Sequence, residues 1–320
     1  MDSAPYSSQS WQAEQEIFCA AGDASSVICN RRRFRYIAVV SPAPPVVLTI
    51  AGFDPSSGAG VTADVKTIAA HGCYGVACIT ALTVQSTAGV RRAEPVSVDL
   101  LEQTLAELVA DMEIASVRIG MLGSGKIAKA VADFISDHKL SNVVLDPIFK
   151  SSSGAELVDA AGSRAISERL LPLATVITPN VDEASALTGL AVTNVEQMRT
   201  AAMKLHSMGA AAVVITGGHL EKAIDLLSFT RRRGVEQEVF KSARLRSNST
   251  HGTGCAFATS IACHLALGRG LPEAVLLAKA YVSAAITNAH PLGRGTGPLH
   301  HLYRMTQQRR VIASDPEPVN

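Results

Sequence analysis

The chain has 320 residues, of which 47% are hydrophobic and only 4% aromatic, and its formal net charge is +1. This length is sufficient for one large or two ordinary domains with a sizeable core. The near-neutral charge argues against nonspecific electrostatic binding of nucleic acid. No apolar run approaches the length of a membrane span. The six cysteines form no CxxC pair, which favours a reducing, cytoplasmic compartment.

The first 45 residues differ from the rest of the chain. Ser, Gln, Ala and Arg are mixed without periodicity, and Ser41 to Pro45 closes the segment with three prolines. We predict a poorly ordered N-terminal extension and Pro-rich linker over 1–45, a folded domain over 46–310 and a disordered tail over 311–320. The start lacks a basic region followed by an apolar core, so a secretory signal is not expected.

From Val46 onward, short Val/Ile/Leu runs alternate with Ala-rich amphipathic stretches. This alternation is typical of a doubly wound, mostly parallel sheet with helices on both faces. Strands are predicted at 46–50, 76–82, 117–121, 142–146, 174–178 and 212–216, with a hairpin formed by 225–229 and 238–245. Helices are predicted up to His71, from Ser97 to Met112, over 124–138, 155–170 and 180–188, from a Thr193/Glu196 capping box to Met208, and over 253–267 and 272–289.

Polar and Gly-rich loops follow the predicted strands, where ligands bind in such folds. The first loop, 51–60, is not GxGxxG and lacks the Lys-Ser/Thr of a P-loop, so taken alone it is a tight turn. Asp64, a turn into the next helix, could simply favour the helix dipole. Gln85 ends the second strand, and its amide can donate and accept at once. That pattern suits a ring nitrogen beside an exocyclic amine, although a solvent-facing loop residue is the simpler interpretation.

Acidic and amide side chains follow two later strands. Asn180, with Glu183 three residues on, makes a good helix start that needs no further function. Glu183 could instead hold a hydrated Mg²⁺ ion, and Asp146 at the end of its strand is a second candidate for cation or phosphate binding. Both interpretations stay open at this point.

The most informative segment is Thr250 to Cys255, which opens the apolar helix 253–267. Its glycines, Gly252 and Gly254, permit a sharp turn with exposed N–H groups, and the helix start adds unpaired donors and a positive dipole end. Such a turn is the usual seat of a transferring phosphate. The positive electrostatic potential at this helix start is also expected to favour the thiolate form of Cys255. Gly217 and Gly218 similarly permit close approach to a phosphate chain. The sequence therefore predicts phosphoryl transfer to a small molecule.

The region from about Val46 to Tyr303 resembles the phosphomethylpyrimidine kinases of thiamine biosynthesis, a branch of the ribokinase superfamily. The resemblance is carried, in order, by AGFDPSSGAG, ITALTVQST, IGMLGS, DPIFKSSSG, TPNVDEA, GGHL, THGTGC and GRGTGPLHH. It implies a three-layer α/β/α sandwich, ATP and Mg²⁺ as cofactors, and a homodimer. It also implies two successive phosphorylations of 4-amino-5-hydroxymethyl-2-methylpyrimidine, first to the monophosphate and then to the pyrophosphate.

The resemblance also implies roles for individual residues. The expected pyrimidine pocket consists of Gly52, Asp64, Gln85, Met121 and Ile148. The expected catalytic turn is Gly252, Thr253, Gly254 and Cys255. Nucleotide and phosphate contacts are expected from Thr216, Gly217, Gly218 and Thr250, and Mg²⁺ contacts from Asp146, Asn180 and Glu183. Thr216 stands where many family members have lysine, which removes a positive charge near the phosphates.

Two alternatives remain at this stage. A pyridoxal kinase of the same fold would phosphorylate a similar hydroxymethyl heteroaromatic compound. A non-catalytic pyrimidine-binding regulator would be consistent with Thr216. Hydroxyethylthiazole kinase shares a GTGC-like turn, but the TVQST and GPLHH segments fit it less well.

Overall fold

A computed structural model describes residues 42–151, 154–218, 223–232, 234–242, 245 and 247–305. The predicted tail over 311–320 and the predicted extension up to residue 41 lie outside these residues, as does His219 of the GGHL motif. Within them, no helix combines the length and the hydropathy that a membrane crossing requires.

Nine strands of the described chain form one sheet in the order β3-β2-β1-β4-β5-β6-β7-β8-β9. Strands β1, β2 and β4 to β7 run parallel, whereas β3, β8 and β9 pair antiparallel with their neighbours. The strands are β1 (Val46–Phe53), β2 (Tyr74–Ser86), β3 (Gly89–Pro95), β4 (Ile114–Ile119), β5 (Val143–Leu145), β6 (Val176–Ile177), β7 (Ala212–Gly217), β8 (Ala223–Arg231) and β9 (Gly234–Ser242).

The helices follow the strands as the alternation predicts. Ser97 and Ser124 cap two of them, each with its hydroxyl accepting a backbone N–H of the first turn. The helices are α1 (Gly60–Ala70), α2 (Val98–Asp111), α3 (Gly125–Asp137), α4 (Ala160–Ala165), α5 (Val181–Thr188), α6 (Val195–Ser207), α7 (Thr253–Ala266) and α8 (Leu271–Thr287).

The two faces of the sheet carry separate apolar cores. One core joins the sheet to α2, α3, α5 and α6, for example through Leu105, Val131 and Met198. The other joins it to α1, α7 and α8, for example through Ile68 and Ile261. Residues of neighbouring positions in one strand point to opposite cores, as a doubly covered parallel sheet requires. The predicted three-layer α/β/α sandwich is confirmed.

Three local predictions were wrong. The strand predicted at 76–82 is longer, because β2 continues to Ser86 and pairs with β3. That edge strand was not predicted, since its charged, Gly- and Pro-bounded sequence lacks apolar alternation. The helix predicted over 155–170 begins only after Asp159, whose carboxylate accepts the Gly162 N–H, and it continues as a π-turn over 166–170. The cap of α6 is Asn194 rather than Thr193.

The sheet has its topological switch point between β1 and β4. The chain leaves β1 toward β2 on one side, and β4 later adds to the other side of β1. In open α/β sheets the crevice at the carboxyl ends of such strands is the usual ligand site. A ligand site is therefore expected beside the segments that follow β1 and β4 and beside the turn before α7.

Candidate active site

The loop after β1 is organised by one carboxylate. Oδ1 of Asp54 accepts the N–H and the hydroxyl of Ser56 at 2.8 and 2.7 Å, and Oδ2 accepts the N–H groups of Gly58 and Ala59 at 3.2 and 2.9 Å. Burial would raise the pKa of Asp54, but the hydrogen bonds from His251 and from this loop outweigh it and lower the pKa. Asp54 is therefore an ionised anchor that fixes the loop from its centre.

The loop interlocks with the turn before α7. His251 Nε2 lies 2.8 Å from Asp54 Oδ2 and 3.2 Å from Gln85 Nε2, so one imidazole nitrogen meets both groups. A Cβ added at Gly58 would lie 2.1 Å from His251 Cδ2, and one added at Gly252 would lie 1.9 Å from the Gly58 carbonyl oxygen. The two segments lie so close together that a side chain at position 58 or 252 would collide with the other segment, which explains why both residues are glycine.

The turn before α7 has the geometry of an anion-binding site. Gly252 is the N-cap of α7 with φ of +81°, and no side chain caps the first turn. The hydroxyl of Thr253 instead donates to the Thr250 carbonyl at 2.6 Å. Gly254 is exposed, and a Cβ there would meet open space. The first N–H groups of a helix have no intrahelical acceptor, so this start offers donors to an external anion.

A C-terminal segment, 293–298, completes this edge of the site. His251 N–H donates to the Gly297 carbonyl at 3.0 Å, and Thr296 N–H donates to the Thr87 carbonyl at the tip of the β2–β3 hairpin, also at 3.0 Å. A Cβ at Gly295 would lie 2.0 Å from that same Thr87 oxygen. The GRGTG motif thus ties the anion-binding turn to the hairpin that carries Gln85.

Beneath the turn lies a buried guanidinium that the sequence analysis did not identify. Arg118 of β4 is fully buried and pairs with Asp64 Oδ2 at 3.1 Å and with Asp146 Oδ2 at 2.7 Å. Its Nε has no hydrogen-bond partner among the described residues. Burial alone would lower the pKa of Arg118, but the nearby carboxylates and the Cys255 thiol raise it. The guanidinium therefore stays charged.

Asp64 lies in this buried cluster. Its carboxylate accepts the hydroxyls of Thr49 at 2.6 Å and Thr259 at 2.7 Å, besides the Arg118 pair, and its side chain has no exposed surface. Burial raises the pKa of Asp64, and the Arg118 charge only partly opposes it. Asp64 thus joins β1, α1, β4 and α7 at one point in the interior, and its role in the pyrimidine pocket stays a prediction.

The expectation that Cys255 favours its thiolate was wrong. Cys255 is buried, and burial raises its pKa to about 11. The Arg118 charge lowers the pKa, whereas the Asp146 and Asp64 carboxylates raise it. The positive end of α7 acts on the thiol, but loss of hydration and two carboxylates exceed that effect. The thiol is therefore neutral at pH 7.

Two acids meet near the carboxyl ends of β5 and β6. Asn180 caps α5, with its Oδ1 accepting the Glu183 N–H at 2.9 Å, and Glu183 Oε2 accepts the Asn180 N–H at 2.8 Å, a complete capping box. Burial and the neighbouring Asp146 raise the pKa of Glu183 to about 8. Thr216 N–H, nearby on β7, donates to the Pro179 carbonyl at 2.9 Å, and the Thr216 backbone bridges to Asn180.

These acids fit a loosely held divalent cation. No group of three or more His, Cys, Asp or Glu side chains that could hold a metal occurs in the described part of the chain. Mg²⁺ commonly uses only one or two carboxylates together with water and substrate phosphates. Burial raises the pKa of Asp146 and of Glu183; the Arg118 charge lowers that of Asp146 whereas Asp64 raises it, and Asp146 raises that of Glu183. A bound cation would favour the charged form of both carboxylates.

A small apolar cluster lies at the switch point. Met121 packs with Ala81 and Leu157, and Ile148 is half-buried against them. A Cβ at Gly52 would lie 2.9 Å from Met121 Sδ, so the flexible Met121 side chain would have to shift to accept it. Gly52, Met121 and Ile148, which the resemblance assigns to one pocket, are therefore neighbours, with Gln85 on the adjacent strand.

Gly217 is the last residue of β7 and Gly218 follows it, and the two glycines differ in their exposure to solvent. Gly217 is buried, and its N–H donates to Asp225 Oδ1 at 3.0 Å, while Lys279 pairs with Oδ2 of the same carboxylate. Gly218 is exposed, with open space where a Cβ would be. Gly217 is therefore held in place by its hydrogen bond to Asp225, whereas Gly218 is accessible to a ligand at the carboxyl edge of the sheet.

Sequence reasoning missed Arg118 and the central roles of Asp54 and His251. The signal for Arg118 was available, since a charged residue inside an apolar parallel strand must find a buried partner. Asp54 and His251 could not be paired from the sequence, because they are 197 positions apart. Thr250 is exposed and contributes its carbonyl to the turn.

The fold is shared with solved small-molecule kinases of the ribokinase-like class, so the protein is a phosphotransferase of that class. A profile of the phosphomethylpyrimidine kinase family matches residues 54–300. The chain belongs to that family.

Individual relatives agree with this assignment. The hydroxymethylpyrimidine/phosphomethylpyrimidine kinase of Haemophilus influenzae is 40% identical over 257 residues, covering 80% of this chain and 96% of that one. The thiamine biosynthesis bifunctional protein ThiED of Geobacter sulfurreducens is 42% identical over 258 residues, but the chain spans only about half, 52%, of its length. A pyridoxal kinase of Bacillus subtilis, solved as an ADP complex, gives a TM-score of 0.74 at 35% identity, covering 82% of this chain and 100% of that one.

Proposed function

We propose that this chain is an ATP-dependent kinase of thiamine biosynthesis that phosphorylates 4-amino-5-hydroxymethyl-2-methylpyrimidine and then its monophosphate. The observation that carries the proposal is the uncapped start of α7, interlocked with the loop after β1 at the switch point of the sheet. Unpaired N–H donors at a helix start, together with the apolar cluster around Met121 and the Gln85 amide, suit transfer of a phosphoryl group to a small heterocycle. The family and its similarly named relatives support the same reaction.

ATP is the proposed phosphoryl donor, and Gly217, Gly218, Thr216 and Thr250 are proposed to contact it. The ADP complex of the Bacillus subtilis relative supports this choice of nucleotide. Asp146, Glu183 and Asn180 would hold Mg²⁺, which when bound neutralises charge on the phosphoryl oxygens. The Thr216 hydroxyl cannot replace the charge of the lysine that many family members carry there, so the backbone donors of Gly252 to Cys255 supply more of the stabilisation.

Cys255 acts differently in the two proposed steps. The hydroxymethyl group must lose a proton as it attacks, and the Cys255 side chain can accept that proton only in its thiolate form, which is a minor species at pH 7 because the pKa is about 11. In the second step the acceptor is a phosphate oxygen that is already ionised, so no base is needed. A permanent carboxylate at this position would repel that anionic acceptor, whereas a thiol whose pKa is about 11 is mostly neutral.

Substitution of Cys255 should therefore separate the two steps. We expect Cys255→Ser to slow the first phosphorylation by about 10²-fold and the second by much less, because only the first uses a base. Cys255→Asp should retain the first step and slow the second. Single-turnover rates with each acceptor measure both effects, and Cys263→Ser, in the buried face of the same helix, is the matched control. Equal acceleration of both steps by Cys255→Asp would contradict the charge argument.

Substrate assays test the proposed function against its alternatives. Release of ADP should be measured with the aminopyrimidine, its monophosphate and pyridoxal. Turnover of the monophosphate supports the proposal, since a pyridoxal kinase is not expected to phosphorylate it. Turnover of pyridoxal alone would favour the pyridoxal kinase alternative. Binding of the pyrimidine without any turnover would favour the regulator, which the intact Cys255, Asp64 and Glu183 argue against.

Three further properties belong to the same proposal. We expect a homodimer, because the family resemblance implies one, and sedimentation analysis tests it. A cytoplasmic location fits the thiols of Cys73, Cys78, Cys255 and Cys263, which form no disulfide in the described residues. The net charge of +1 supports a small-molecule substrate rather than a nucleic-acid partner.

A further inference from the structure

His251, Gln85 and Thr83 form a chain of hydrogen-bonding groups that joins the turn before α7 to strand β2. Gln85 Nε2 lies 3.2 Å from His251 Nε2, and Gln85 Oε1 lies 3.1 Å from Thr83 Oγ1. Thr83 Oγ1 also lies 2.9 Å from the Phe53 carbonyl oxygen. The two ends of a carboxamide have nearly the same shape, so this network decides which end faces which neighbour.

The proton on His251 can be placed from its other partner. His251 Nε2 is 2.8 Å from Oδ2 of Asp54, and that carboxylate also accepts four hydrogen bonds from its own loop. These bonds and His251 lower the pKa of Asp54, so the carboxylate is ionised and only accepts. Nε2 of His251 must therefore carry a proton, whether the ring is neutral or charged.

The same reasoning applies to the Thr83 hydroxyl. It has one proton, and the Phe53 carbonyl can only accept, so that proton is given to Phe53. An amide nitrogen facing His251 would set one donor against another, and an amide oxygen facing Thr83 would lack a proton of its own. A half-turn of the Gln85 amide removes both conflicts at once. The amide oxygen then shares the single Nε2 proton of His251 with Asp54 Oδ2, which lies closer, and the amide nitrogen donates to Thr83.

We propose that His251 is a specificity-determining positioning residue that locks the Gln85 amide with its oxygen toward His251 and its nitrogen toward Thr83. The remaining lone pair and N–H of the amide then stand in a fixed order along its free edge. A ligand with a ring-nitrogen acceptor beside an amine donor matches one order only. A ligand with an N–H donor beside a carbonyl acceptor matches the opposite order.

The inference rests on the proposed function, because it assumes that Gln85 reads the heterocycle. The test compares two ligands of nearly equal shape, 4-amino-5-hydroxymethyl-2-methylpyrimidine and its 4-oxo analogue, which exchange the donor and the acceptor. Dissociation constants are measured by calorimetry and kcat/KM by ADP release, for the full chain and for His251→Phe. The exposed His290→Phe is the matched control at a histidine that does not contact Gln85.

We expect the unmodified chain to prefer the amino compound and His251→Phe to reduce that preference by about tenfold or more, since the freed amide can turn to suit either ligand. Thr83→Val should act in the same direction, and Thr83→Ser should restore the preference. His290→Phe should leave it unchanged. A merely structural role of His251 would weaken both ligands equally and leave their ratio intact, and that result would overturn the inference.

A second measurement does not depend on turnover. In ¹⁵N-detected NMR of the ligand-free chain, we expect the His251 ring to carry its proton on Nε2. An unprotonated Nε2 would overturn the inference even if the enzyme is active. Failure of the unmodified chain to bind either pyrimidine would instead contradict the proposed function. The NMR result would still test the orientation of the Gln85 amide, because that orientation follows from the proton on His251 Nε2.

Discussion

Replacing Arg118 with methionine is expected to destabilise the folded chain by about 3–5 kcal/mol, the usual cost of removing one partner from a buried ion pair. Arg118 has no exposed surface, and it is the buried cation that faces both Asp64 and Asp146. Methionine fills much of the volume but leaves two carboxylates without their counter-charge. One of them, Asp64, also holds α7 through Thr259, so the loss extends to the start of the anion-binding helix.

Urea unfolding measures this effect as a change in the free energy of unfolding. Arg169→Met is the matched control, because Arg169 pairs with Asp133 on the surface, where about 42% of its side chain is exposed. That pair should contribute about 1 kcal/mol or less. Arg118→Lys keeps the charge without the planar fork and should fall between the two. Equal midpoints for the two methionine variants would refute the assigned role of Arg118.

Replacing Gly252 with alanine is expected to lower kcat by about 10²-fold or more, because a displacement near 1 Å at a catalytic group has effects of that size. Gly252 has φ of +81°, and an added Cβ would lie 1.9 Å from the Gly58 carbonyl oxygen. The loop after β1 and the turn before α7 cannot both keep their positions. The backbone donors of the turn would therefore move away from the phosphoryl group.

The opposite end of the same helix provides the control. Gly268, just beyond α7, has φ of +77°, but a Cβ there would meet nothing within 4 Å. Gly268→Ala therefore carries the cost of the left-handed backbone, roughly 1–2 kcal/mol, without the collision. We expect it to lower the thermal midpoint and keep kcat. If Gly252→Ala and Gly268→Ala lost the same activity, backbone strain rather than the interlocking of the two segments would be responsible.

The fold could be predicted from the sequence because its information is local and repeated. Apolar runs marked the parallel strands, and Ser97, Ser124 and Asn180 marked helix starts that the structure confirms. The errors fell where the local signal was weak. Strand β3 is an exposed edge that needs no apolar face, and the helix after Asp159 begins late because Leu157 and Ala155 form backbone hydrogen bonds with Phe149 and Ser151 instead of helical ones.

The candidate site was predictable to a lesser degree. The glycine turn at 252–254 could be recognised as an anion seat, since its chemistry depends on neighbouring residues. The charge state of Cys255 could not, because burial and the carboxylates of distant elements decide it. The link between Asp54 and His251 likewise depends on tertiary structure, and no spacing along the chain encodes it.

The separation of Asp54 from His251 has a consequence for synthesis on the ribosome. Strands β1 to β7 emerge before the turn and α7, so a nascent chain can assemble most of its sheet while Asp64 still lacks the Thr259 hydroxyl from α7. Contacts between residues so far apart form late, since the entropy of closing a long loop must be overcome first. A truncated translation product that ends before residue 250 would therefore lack the phosphate-binding turn together with α7 and α8, and it would expose the face of the sheet that these two helices cover in the complete protein.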